Sequence, residues 1–162
     1  MPAVVVPDAI SAALATEVRA RLERSPFVRY ALLDRGSYEF VDRPEESELL
    51  AVLTAIASDI TGRDLEPQEA RAVRLRAGDF ILLRHDRVYE DRPLELILDL
   101  SPAPAPGSEV HYRHRGQHYF TFGSTPGALS LVERAPTVMC NHTYVSKLRP
   151  QAEVVRLVVL LK

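Results

Sequence analysis

The chain has no tryptophan and one cysteine, Cys140, in 162 residues. A lone thiol closes no intrachain disulfide, so covalent cross-links are excluded and a reducing compartment is expected. The paired-cysteine zinc pattern is excluded with it. No hydrophobic run approaches the roughly 20 residues that a membrane-crossing helix needs. The N-terminal residues show no basic stretch followed by a continuous apolar one, so no secretory signal is expected and a cytoplasmic location is. A formal net charge of −2 offers no excess of positive charge to attract nucleic acid or an acidic membrane. There is no internal repeat. What remains is an ordinary globular composition, 46% hydrophobic and 26% charged. The length suits a single domain, 1–162, with its own core.

The first third reads as strand, helix, hairpin, helix. Val4, Val5 and Val6 form a compact β-branched run. Asp8 or Ser11 can cap a helix over 11–23, where Ile10, Leu14, Val18 and Leu22 recur every four residues. Residues 27–33 and 37–41 read as strands around a turn at Asp34, Arg35 and Gly36. Pro44 suits the first turn of a second helix, with Glu45, Glu46 and Glu48 near its positive end and Gly62 at its stop. Beyond residue 68 the period changes from helical to extended. Short strands are expected at 70–76, 79–84, 94–100, 109–113, 118–122, 128–133, 138–142 and 154–161. Helices first and strands afterwards point to an α+β fold whose strands close a sandwich or barrel. The proline-rich stretch 101–107 is a rigid connection, either one lip of a pocket or plain surface.

Two strand ends carry chemistry. The apolar run Phe80, Ile81, Leu82, Leu83 delivers His85 and Asp86, then Tyr89 and Glu90. An imidazole with carboxylates there supplies the ingredients of a metal site, and equally fits a strand end with solvated charges. His142 ends a second apolar strand, and a double-sheet barrel can return the chain to the same mouth. Arg156 stands alone among Val154, Val155, Leu157, Val158, Val159 and Leu160. Either it lies on an edge strand facing water, or it is buried and demands an anionic partner. The other histidines read differently. His111 and His114 would point to opposite faces of a strand, and with His118, Arg113 and Arg115 they suggest a solvated face.

On these residues the chain resembles the iron(II)/2-oxoglutarate-dependent oxygenases, in particular the prolyl-4-hydroxylase-like branch. Residues 4–22 resemble that branch's opening strand and helix, 73–86 its strand into the first iron histidine, and 94–101 the core strand that follows. Residues 107–109 resemble its next turn, and 137–142 with 155–160 the segments bearing the second histidine and the basic cosubstrate residue. The resemblance implies a double-stranded β-helix, or jelly roll, buttressed by N-terminal helices. It implies iron(II) held by His85 and His142 and 2-oxoglutarate held by Arg156; Asp86, turned inward by a strand-end bulge, is the candidate third iron ligand. The implied activity is a dioxygenase acting on a small molecule or a protein side chain, with Tyr89, Tyr112, Arg113 and Tyr144 on the substrate side.

The first motif departs from the family's: Arg87 stands where it places a carboxylate, and Asp86 comes one residue early. The spacing from His142 to Arg156 is longer than usual for the branch, and Leu75 replaces a tyrosine that touches the cosubstrate. A jelly-roll relative serving as a binding module, without oxygenase activity, is the alternative that Arg87 motivates. A cupin is another, since Gly78, His85 and Glu90, with Gly127 and His142, echo its two motifs.

Overall fold

The computed structural model describes residues 3–82, 91 and 93–162. Helix α1 (Ala12–Glu23) starts where expected, with the Ser11 hydroxyl accepting the Leu14 N–H at 3.1 Å. Helix α2 (Ser47–Thr61) starts later than Pro44 suggests and ends at Gly62 in the left-handed conformation. The Glu46 N–H closes a turn on the Pro44 carbonyl instead of opening a helix. The Glu46 carboxylate is taken by Arg21 through two bonds of 2.9 Å, which ties α1 to α2.

The described strands are β1 (Ala3–Val6), β2 (Val28–Leu32), β3 (Gly36–Asp42), β4 (Pro67–Arg76), β5 (Phe80–Ile81) and β6 (Leu94–Asp99), followed by β7 (Val110–His114), β8 (Gln117–Phe122), β9 (Leu129–Glu133), β10 (Val138–His142) and β11 (Glu153–Leu161). They pair in the order β1-β9-β6-β11-β4-β3-β5-β10-β7-β8, with β2 beside β3. The sheet folds over on itself. Ile97 and Val132 of one layer pack against Val110, Tyr112, Phe122 and Val138 of the other. The result is a nearly closed antiparallel barrel, a jelly roll with two helices against one outer face, as the α+β reading expected.

Alternation along β6 and β11 builds both cores at once. Leu94, Leu96, Leu98, Leu157 and Val159 face the helices and meet Val18, Leu22, Leu49 and Leu53. The residues between them face the barrel interior. Among these are three charged side chains, Glu95, Asp99 and Arg156, all buried. No described helix is long and apolar enough to cross a membrane.

The corner between β4 and β5 is fixed by two residues. At Gly36, β3 crosses from β4 to β5 with φ 132°, and an added Cβ would lie 2.4 Å from the Phe80 carbonyl oxygen, so only glycine fits. Asp79 is the other. Its carboxylate takes Arg29 at 2.7 and 3.0 Å, the Ser37 hydroxyl at 2.7 Å and the Arg76 N–H at 2.9 Å. Burial is the largest single influence on Asp79 and raises its pKa, but the bonds from Arg29, Arg76 and Ser37 together outweigh it and hold the pKa below the ordinary value. With the folded pKa depressed, this stabilisation is complete above the unfolded carboxylate pKa and is lost as pH falls through the folded value. Asp79→Asn should therefore cost about 2 kcal/mol at neutral pH, a modest figure because Arg29 is half exposed. The gap from wild type should narrow below about pH 4, read from urea melts across a pH series.

Candidate active site

Between the two layers lies a cavity of about 570 Å³, lined by Tyr38, Arg71 and Val73 on one wall and by Cys140 and His142 on the other. Glu95 lines it as well. The alternation that turns Val138 and Cys140 inward does the same for His142, which ends β10 opposite Ile81 and Val110. His142 is 7% exposed. Burial, then the nearby Arg156 and Arg134, push its pKa well below the ordinary histidine value, so the ring is neutral.

Arg156 is not on an edge. It sits inside β11 between β4 and β6, opposite Val73 and Asp99, and is 0% exposed. The solvent-facing alternative is therefore overturned: helices cover one face of β11, and Arg156 points to the other, inside the barrel. Its Nη1 donates to His142 Nδ1 at 2.9 Å and its Nη2 to the Ser108 carbonyl at 3.1 Å, while Nε has no partner among the described residues. Burial lowers its pKa, with Asp99 opposing. The Asp99 oxygens themselves are taken by the backbone N–H groups of Ser101 and Thr125, each at 2.8 Å. Arg156 thus has no ion-pair partner among the described residues.

Toward the other end, Glu95 accepts the Tyr112 hydroxyl at 2.6 Å and Arg134 Nη1 at 2.7 Å. Sequence reading passed over this network, although Glu95 carries the same signal as Arg156, one charge in an apolar strand. Tyr112 is consequently committed to Glu95 and is fully buried. Arg113 is exposed and Tyr144 is 48% exposed. Neither lines the cavity. Leu75 is buried with Val145 and Val154. His111 turns outward, bonds Glu109 at 2.6 Å and packs edge-on against His118 at 5.6 Å. Residues 101–107 do not line the cavity and run mostly over the surface, anchored by buried Ala105 and by Ser101 Oγ, which accepts the Val155 N–H at 3.1 Å. Gly127 accepts the Ala9 N–H at 2.9 Å, beside the chain that leads into α1.

His85, Asp86, Arg87, Tyr89 and Glu90 lie outside the described residues. Leu82, just before that segment, lines the same cavity as His142. Of the four expected site residues, then, His142 and Arg156 are brought together. Among the described residues no group of three or more histidine, cysteine, aspartate or glutamate side chains is placed to hold a metal ion. A buried guanidinium whose Nε–H has no partner among the described residues fits the carboxylate of 2-oxoglutarate. His142 has the donor chemistry that iron takes, on the condition that Arg156 leaves its Nδ1.

No family model and no curated protein matches the sequence. Solved structures do. An oxidoreductase of the 2OG-Fe(II) oxygenase family from Burkholderia pseudomallei is 15% identical with a TM-score of 0.75, over 99% of this chain and 85% of that one. A prolyl-4-hydroxylase from Pseudomonas putida is 16% identical with a TM-score of 0.70, over 99% and 91%. HygX from Streptomyces hygroscopicus, solved with nickel and 2-oxoglutarate bound, is 14% identical with a TM-score of 0.65, over 98% and 82%. The chain has the fold of the iron(II)/2-oxoglutarate oxygenases, in a form shared with prolyl hydroxylases.

Proposed function

We propose that this protein is an iron(II)/2-oxoglutarate-dependent dioxygenase that hydroxylates or otherwise oxidises a small molecule or a protein side chain in the cytoplasm. The observation that carries this reading is Arg156: fully buried, without an ion-pair partner among the described residues, and touching His142 at the cavity wall. Its guanidinium would anchor the distal carboxylate of 2-oxoglutarate and so orient the cosubstrate. His85, Asp86 and His142 would hold iron(II). When bound, iron supplies the activation of dioxygen that the oxidation requires. Burial keeps His142 neutral, the state that a metal ligand needs. Tyr38 and Arg71 line the opposite wall and would face the substrate.

Two observations favour a second reading, a metal-free binding module: Arg87 in place of a carboxylate, and the guanidinium seated on His142 Nδ1. Protein loaded with iron(II) should consume 2-oxoglutarate and form succinate under oxygen. His85→Ala and His142→Ala should each end that turnover. Undiminished turnover in either variant removes the ligand assignment. Binding of 2-oxoglutarate without any turnover favours the module.

A further inference from the structure

We propose that the edge of β2 is a self-association surface: two copies of this chain join their β2 strands antiparallel, about a two-fold axis at Tyr30. Among the described residues β2 pairs with β3 alone. Its far edge is a row of backbone N–H and C=O groups that another strand can take. Folded proteins guard such edges with lysine, proline or a bulge. The strand Val28–Leu32 contains neither lysine nor proline and follows β3 in unbroken register. Its one charge, Arg29, is committed to Asp79 through two bonds of 2.7 and 3.0 Å. The strand exposes apolar surface instead, with Val28 55% and Leu32 50% exposed. Alternation sets Val28, Tyr30 and Leu32 on one face, beside Phe40 and Tyr38 of β3.

The strand's own sequence names the occupant. An axis at Tyr30 places Val28 opposite the partner's Leu32 and Arg29 opposite the partner's Ala31. Apolar side chains then meet on one face, and no charge meets its like on the other. Centring the axis on Arg29 opposes two guanidinium groups. Centring it on Ala31 leaves Val28 beyond the end of the facing strand. A half-residue shift sets the apolar face against Arg29 and Ala31. One register is therefore favoured. The contact is isologous and closes at two copies. Tyr38, on the same face, lines the cavity, so the facing strand lengthens that wall. Five-residue strands make a small interface, and a dissociation constant on the order of 10 μM is expected.

Sedimentation velocity on the full chain should show monomer giving way to dimer, and nothing larger, between about 1 and 200 μM. Val28→Lys with Leu32→Lys sets lysine opposite lysine and should stay monomeric. Val28→Lys with Leu32→Glu sets lysine opposite glutamate and should restore the dimer, weakening as salt rises. Leu33→Lys, just past the strand, should associate as wild type does. Circular dichroism melts establish that each variant is folded. Should the lysine pair fail to fold, Leu32→Lys alone takes its place, with a dissociation constant raised about tenfold. Wild type that stays monomeric across the range overturns the proposal, as do a lysine pair that still dimerises and a folded lysine–glutamate pair that does not. Assemblies that grow beyond two copies overturn it as well, since they require a head-to-tail contact.

Discussion

Glu95→Ala should lower the unfolding free energy by about 3–5 kcal/mol, the cost of removing one partner from a buried ion pair. Glu95 lies in β6 among Leu94, Leu96, Ile97 and Leu98, and its carboxylate enters the barrel between Tyr112 and Arg134. Arg134 is 0% exposed. Burial first, and then the Glu95 charge, push the Tyr112 pKa well above its ordinary value, so its hydroxyl stays protonated and donates. Alanine at 95 takes away the carboxylate that both groups face. The double replacement Glu95→Ala with Arg134→Met should recover most of the loss, since exchanging a whole buried pair for apolar side chains is often neutral or better. Urea denaturation of the three variants decides it. A loss below about 1 kcal/mol in Glu95→Ala would mean that the pair contributes no more than a surface bridge.

How much of this was legible in the sequence depends on which physical signal each residue carried. Apolar period and turn chemistry placed both helices and nearly every strand, because burial on the 3.6-residue and two-residue periods is what those elements are made of. Pro44 misled for a local reason: its carbonyl closes a turn with Glu46, whose side chain is needed by Arg21. Arg156 was legible as a charge in an apolar strand, but the choice between edge and centre was not, because strand order is set by pairing between residues far apart in sequence. Glu95 gave the same signal and was read as part of a core strand. Tyr112 was expected on the substrate side, whereas its hydroxyl goes to Glu95. Its role depends on Glu95, which lies across the barrel. His142 was placed correctly at its strand end, but its contact with Arg156 joins two strands from different layers, and no spacing rule encodes that.

Arg156→Met should behave in the opposite way to Glu95→Ala, although both positions are buried and charged. Glu95 has its counter-charge in the chain, whereas among the described residues Arg156 bonds a neutral imidazole and a carbonyl. The native protein therefore bears the cost of desolvating Arg156 without the Coulombic return that an ion pair gives. Methionine fills similar space without charge, so stability should hold or rise, by about 0–2 kcal/mol in urea melts. Affinity for 2-oxoglutarate should fall on the order of a hundredfold, since truncating one partner of a buried charge pair costs about 2–5 kcal/mol of binding. The combination separates a residue kept for its ligand from one kept for the fold. Should Arg156→Met lose several kcal/mol of stability while binding 2-oxoglutarate as before, the guanidinium serves the barrel and the anion site lies elsewhere.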